Sequence, residues 1–229
     1  MTVTALRSCR SRTKTRGALM VELAMTIAVL GALAMISFGT FGDAEGNRQS
    51  HAAANAVRTA RQAVLDFARV HGRLPCPDLS GNGTEGDASG ACPLGSNFGR
   101  LPMHTLGLQD LAMPDTQTLR YGVARATPDS DLSSRAPASE LDAARRFMSL
   151  AERAAGLGAT SGQPYIPGVD ALGHSTDCAT QDSSPAFVIS AGDRDHVGNS
   201  SCFPVPPGDH GALVAMGRLE LVGWIRSNL

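Results

Sequence analysis

TKTRGALMVELAMTIAVLGALAMISFGTF, residues 13–41, is the stretch that decides the fold. A basic arm ends at Gly17, and Glu22 is the only charge in the apolar run that follows. A helix needs ~20 residues to cross ~30 Å of hydrocarbon. It also satisfies its backbone polar groups within the segment, as a single span in lipid must. The sequence therefore predicts a membrane-spanning helix over residues 18–41.

Glu22 is the unusual residue of this predicted span. A carboxylate inside a span costs ~2.5–3.5 kcal/mol on insertion scales and usually has a partner nearby. Cleavage after Gly17 would create that partner, because the new amine of Ala18 would lie four residues before Glu22 on the same helix face. The two charges would then neutralise each other, within one chain or between neighbouring chains.

The combination of a basic leader, Gly17, Ala18, an apolar run and Glu22 resembles the class III signal of type IV pilins and type II secretion pseudopilins. In that family a prepilin peptidase cleaves after the Gly and methylates the new N-terminus. The Glu at the fifth mature position sets the register of an incoming subunit. The family commonly has Phe at the first mature position, where this chain has Ala18.

This resemblance implies a function and a set of partners. The chain would be a structural subunit of a type IV pilus or a type II secretion pseudopilus. Major and minor subunits both remain open, and the long head with a helical insertion at 139–157 favours a minor one. Its partners would be prepilin peptidase, other pilin or pseudopilin subunits and an inner-membrane assembly platform. The alternative is a signal-anchored periplasmic binding module or enzyme that keeps an uncleaved N-terminal helix.

Charge distribution predicts the orientation. The formal net charge is −1, and the predicted leader, residues 1–17, carries five basic residues and no acidic one, so its removal would leave −6. Basic flanks stay on the cytoplasmic side, which places the remainder in the periplasm of a bacterial inner-membrane protein with a single span. A mildly acidic mature chain without a basic patch argues against nucleic acid as a partner.

Four cysteines remain once Cys9 is removed with the leader: Cys76, Cys92, Cys178 and Cys202. An even number in an exported domain predicts disulfides. Three pairings are possible. The pairing of cysteines that follow one another in the chain joins Cys76 to Cys92 and Cys178 to Cys202. Zinc binding is the alternative, which the wide spacings and the lack of a C-x-x-C motif disfavour.

The fold class predicted for the whole chain is α+β, with a long N-terminal helix on a small antiparallel sheet. Its second half, residues 42–71, is amphipathic, with an apolar stripe at Ala53, Val57, Ala60, Val64 and Phe67. Gly72 suits a C-terminal cap. In the periplasmic head, residues 72–229, the pattern predicts a disulfide-pinned loop over 73–100. Strands follow at 119–125, 186–191 and 213–215. A helix opens at Ser139 with a capping box to Asp142, and a helix or strand covers 218–228.

The loop after the predicted helix carries a second resemblance and a candidate metal site. The order GRLPCPD, a Gly-rich acidic segment, a second Cys, LPMHTLGL and LRYGV is similar to a group of pilin-like type II secretion proteins. Asp78, Ser80, Asn82 and Thr84 alternate as at the start of an EF-hand loop, but the twelfth position is Ser89 rather than Glu. Asp78, Glu85 and Asp87 are the weak calcium candidates, and a solvated acidic turn is the alternative.

No sequence motif indicates catalysis. The chain has no nucleophile elbow, H-E-x-x-H motif or phosphate-binding loop. Asp193, Asp195 and His196 form a polar group that fits a surface turn between strands. The prediction is that the protein is not an enzyme and, apart from the calcium candidates in the loop, has no cofactor.

Overall fold

The computed structural model describes residues 16–113, 117–135, 140–158, 162–168, 178, 181–193, 200–204 and 212–229. For 16–20, 32–47, 140–141 and 193 it describes the backbone alone. The chain divides into two compact units, Met1–Glu45 and Gly46–Leu229. Helix α1 has the bounds Arg16–His71, so its first part belongs to one unit and its second part to the other.

The second unit has an α+β architecture, as predicted. Its described residues contain a four-stranded antiparallel sheet of β1 (Phe98–Arg100), β2 (Gln117–Val123), β3 (Phe187–Asp193) and β4 (Ala212–Met216). The strands lie side by side in chain order. The remaining helices are a short 3-10 helix at Pro128–Ser130, α2 at Glu140–Gly156 and α3 at Arg218–Asn228.

Three helices cover one face of this sheet. Arg61 of α1 pairs with Glu220 and Arg69 donates to Asn228, so α3 runs parallel to this part of α1. Arg226 of α3 donates to Glu152 of α2, and Arg218 donates to carbonyls at the C-terminal end of α2. The apolar sides of these helices meet alternate residues of β2 and β3 in one hydrophobic core.

The predicted stripe of α1 faces that core. Ala53, Val57, Ala60, Val64 and Phe67 are all buried. The helix ends where the sequence predicts, because Gly72 has φ of +59° and its N–H donates to the Ala68 carbonyl at 2.9 Å.

The opposite face of β2 and β3 is covered by irregular segments. Phe203 and Pro164 lie so close to Gly122 that a Cβ there would fall 2.8 Å from Pro164 and 2.9 Å from Phe203. Arg120 of β2 stacks over the Phe203 ring at 4.5 Å and donates to the Ser200 and Cys202 carbonyls. Burial lowers the pKa of this guanidinium. Gly122 therefore allows the segment that carries the second disulfide to lie flat on the sheet.

The element bounds correct the sequence-based ones in several places. Phe98–Arg100, predicted as loop, forms β1 and pairs with β2. The segment at 218–228, left open between helix and strand, is the helix α3. β2 ends at Val123 rather than at residue 125. Ser139, the predicted start of the capping box, lies outside the described residues.

Candidate functional site

The predicted processing and register residues lie on α1, in the first unit. Its backbone is helical from Arg16, so Gly17, Ala18 and Glu22 all have helical backbone. Glu22 is exposed, as is every side chain from Val21 to Gly31. The large apolar side chains among them are 58–68% exposed: Val21, Leu23, Met25, Ile27, Val29 and Leu30. Most of the leader, residues 1–15, lies outside the described residues.

The first unit gives no independent support for the predicted span. Within the described part of the chain, no helix combines the length and the apolar character needed to cross a membrane. The predicted span over 18–41 includes positions for which only the backbone is described, and it stays a prediction.

Each disulfide joins two of these four cysteines that follow one another in chain order. Cys76 is bonded to Cys92, and Cys178 to Cys202. This selects one of the three pairings that the sequence left open. The first bridge pins the loop that precedes β1, and the second fastens the segment that covers the sheet beside Arg120.

The three calcium candidates are not brought together. Oδ1 of Asp78 accepts hydrogen bonds from Ser80 N–H, Ser80 Oγ and Gly81 N–H, and its Oδ2 accepts one from Gly83 N–H at 2.8 Å. Oδ1 of Asp87 accepts from the N–H and hydroxyl of Ser89 and from Ala91 N–H, and these bonds lower the pKa of Asp87. Across the described residues, no group of three or more His, Cys, Asp or Glu is placed to hold a metal ion.

The alternating polar residues of this loop are turn formers. Asp78 with Ser80, Asn82 with Thr84 and Asp87 with Ser89 each form a turn in which the first side chain accepts from the N–H and the hydroxyl two residues later. This is the local chemistry of Asx turns. The spacing that resembles an EF-hand therefore serves to fold the loop.

Glu85, the third calcium candidate, forms a partly buried ion pair. Arg73 binds it through two nitrogens, at 2.6 Å and 2.7 Å, and the Cys76 N–H donates to it at 3.1 Å. Burial raises the pKa of Glu85, but the hydrogen bonds and charge of Arg73, the Cys76 N–H and the charge of Arg135 together lower it below its usual value. The carboxylate thus links the end of α1 to the disulfide loop.

A second ion pair, which the sequence analysis missed, holds the other end of that loop. Arg125 and Asp131 have side chains that are 2% and 7% exposed. Arg125 binds both carboxylate oxygens, at 2.8 Å and 2.9 Å. Its remaining N–H groups donate to the carbonyls of Cys92, Pro93 and Ser96. All five donors of the guanidinium are therefore used.

The D-x-S pattern at Asp131 and Ser133 is a sequence signal that could have pointed to this pair. Asp131 and Ser133 repeat the turn pattern seen at Asp78, Asn82 and Asp87, since Asp131 Oδ1 accepts from the N–H and hydroxyl of Ser133. Arg125 is the last residue of the strand predicted over 119–125, and an arginine that is buried at such a position needs an acceptor set of this kind. Nothing in the sequence, however, indicates that the carbonyls of residues 90–96, which we call the Cys92 loop, complete it.

The other sequence-predicted polar group is mostly outside the described residues. Asp193 is the last residue of β3, with only its backbone described. Asp195 and His196 lie outside the described ranges. Comparison with protein-family models, with curated proteins and with solved structures found no match.

Proposed function

We propose that this chain is a structural subunit of a type IV pilus or type II secretion pseudopilus, processed after Gly17. It would be anchored in the bacterial inner membrane by residues 18–41, with its leader in the cytoplasm and its head in the periplasm. Prepilin peptidase would release the leader. An inner-membrane platform and other pilin-like subunits would then draw the mature chain into a filament.

One observation carries the proposal: Gly17, Ala18 and Glu22 fall at the spacing of a prepilin signal, and they lie on the helix α1, whose large apolar side chains from Val21 to Leu30 are exposed. Glu22 follows Ala18 by four residues, so on the helical backbone of α1 both lie on one face. The exposed apolar side chains from Val21 to Leu30 need a cover, since large exposed apolar patches are rare on soluble monomers. Lipid before assembly and neighbouring helices after it would supply that cover.

The head supports a role in assembly more than one in turnover. The second part of α1 lies on a small antiparallel sheet, and two disulfides pin the loops. Together with the predicted span, α1 would form one long helix with a membrane half and a head half, which is the architecture implied by the resemblance. The additional helix α2 favours a minor subunit, while Glu22 argues against a position at the extreme tip of the filament.

The decisive experiment is the intact mass and N-terminal sequence of the protein recovered from membranes, with and without reducing agent. We expect a start at Ala18, carrying a methyl group, and a mass about 4 Da lower than that of the reduced form, because each of the two disulfides forms with the loss of two hydrogens. A start at Met1 or Thr2 would refute prepilin processing. It would leave the alternative of a signal-anchored periplasmic binding module or enzyme.

The register role of Glu22 is tested by substitution. Glu22→Ala should leave membrane insertion intact and impair filament assembly, because the Ala18 amine loses its partner. Thr26→Ala is the matched control, since Thr26 lies one turn further along the same exposed helix and its hydroxyl bonds locally to the Leu23 carbonyl. Normal filaments from Glu22→Ala would show that the carboxylate does not set the register.

A further inference from the structure

A pocket of about 320 Å³ lies between the Cys92 loop and α2, and we call it the basic pocket. Its charged and hydroxyl-bearing walls are Arg125, Asp131, Ser133, Ser134, Arg135 and Arg146. All of these residues belong to the second unit, far in sequence from the N-terminal signal. No residue of the N-terminal signal therefore lines this pocket.

The charges of the basic pocket do not balance. Arg125 and Asp131 neutralise each other in the buried ion pair. Arg135 and Arg146 remain. Arg135 donates to the Gly90 carbonyl at 2.9 Å and lies 3.8 Å from a Glu85 oxygen that Arg73 already binds at closer range. Within the described residues, neither remaining arginine is held by both oxygens of a carboxylate.

The hydroxyl group of Ser134 is placed to complement an anion, whereas that of Ser133 already donates to Asp131. Arg146 Nη2 donates to Ser134 Oγ at 3.1 Å, so this hydroxyl acts as an acceptor toward the protein. A serine hydroxyl also carries one proton that it can donate. The Ser134 proton is thus available to a ligand in the same pocket as two guanidinium groups, whose planar forks match tetrahedral oxyanions.

We propose that the basic pocket binds a tetrahedral oxyanion, phosphate or sulfate, either free or as the terminal group of a larger molecule. Arg135 and Arg146 hold the anion through charge-assisted hydrogen bonds, and Ser134 donates a third. The volume lies at the lower end of the range of small-ligand pockets, which leaves room for the anion and a short substituent. The Arg125–Asp131 pair forms the rigid floor.

The test is calorimetric titration of inorganic phosphate into the full-length chain in a non-ionic detergent, at constant ionic strength set with sodium chloride. Wild type should bind saturably with one site. Arg146→Gln should weaken binding roughly 10-fold or more, because it removes a charge-assisted contact. The matched control is Arg145→Gln, which removes an exposed arginine from the adjacent position of the same helix and should leave the affinity unchanged.

A second variant and a second ligand complete the titration experiment. Arg135→Gln removes the second cation from a different segment, so it tests the pocket if Arg146→Gln does not fold. Glycerol phosphate replaces inorganic phosphate in a parallel titration, and tighter binding of this ester would identify a group on a larger molecule as the ligand. Absence of saturable heat with the wild type would overturn the proposal. Equal weakening by Arg145→Gln and Arg146→Gln would also overturn it, because general charge would then explain the binding.

Discussion

Removal of the Asp131 carboxylate should destabilise the head more than any surface charge change. Arg125 is almost fully buried, so Asp131→Ala leaves a cation in the core without its counter-charge. Breaking a buried pair in this way costs about 3–5 kcal/mol. For a chain of this size, each kcal/mol shifts the melting temperature by roughly 2–4 °C. The expected decrease is therefore on the order of 6–20 °C.

The matched control for this change is Asp129→Ala. Asp129 lies two residues earlier and pairs with Arg153 at 3.5 Å, but the two side chains are 83% and 61% exposed. Exposed pairs contribute about 0–1 kcal/mol. Thermal or urea unfolding of the full-length chain, with the disulfides intact, measures both variants under the same conditions.

A double-mutant cycle makes the test sharper. Arg125→Met removes the cation, and Arg125→Met with Asp131→Ala removes the whole pair. The loss in the double variant should be smaller than the sum of the single losses by about 0.5–3 kcal/mol, because the second change no longer strands a charge. If Asp131→Ala costs no more than Asp129→Ala, or if the losses simply add, the pair does not hold the disulfide loop as we infer.

Three further changes test other parts of the head. Glu85→Gln should lower the melting temperature at pH 7. The difference from wild type should shrink as the pH falls through the lowered pKa of Glu85, because a carboxylate with a pKa below its usual 4.5 stabilises the fold only while it is ionised. A constant difference from pH 7 to pH 3 would contradict this. Gly122→Ala should destabilise by about 1–3 kcal/mol in urea unfolding, because the added Cβ meets Phe203 at 2.9 Å. Gly223→Ala, in α3 with nothing within 4 Å of its Cβ, should instead stabilise by about 0.5–1 kcal/mol; the same sign for both changes would contradict the packing argument. Replacing Cys76 and Cys92 together by Ala should cost about 3 kcal/mol, the chain-entropy value for a loop of this length, and an unchanged unfolding midpoint would show that the ion pairs alone fix the loop.

The sequence by itself determined the features that depend on local pattern. The three- and four-residue spacing from Ala53 to Phe67 predicted the buried face of α1, because helical periodicity places those residues on one side. Gly72 predicted the helix end, since only a residue tolerant of positive φ closes a helix in this way. The even number of cysteines after the predicted leader predicted disulfides, and the apolar run at 186–191 predicted β3.

Only the tertiary structure decided the features that depend on residues distant in sequence. Phe98–Arg100 becomes a strand because β2 offers it a partner, not because its three residues favour one. The D-x-S spacing of Asp78 and Asp87 is compatible with a metal loop or with turns, and the backbone N–H groups around each carboxylate settled it as turns. The Arg125–Asp131 pair and the basic pocket form where three segments come together: the Cys92 loop, residues 125–135 and helix α2. No local sequence pattern predicts that these segments are in contact.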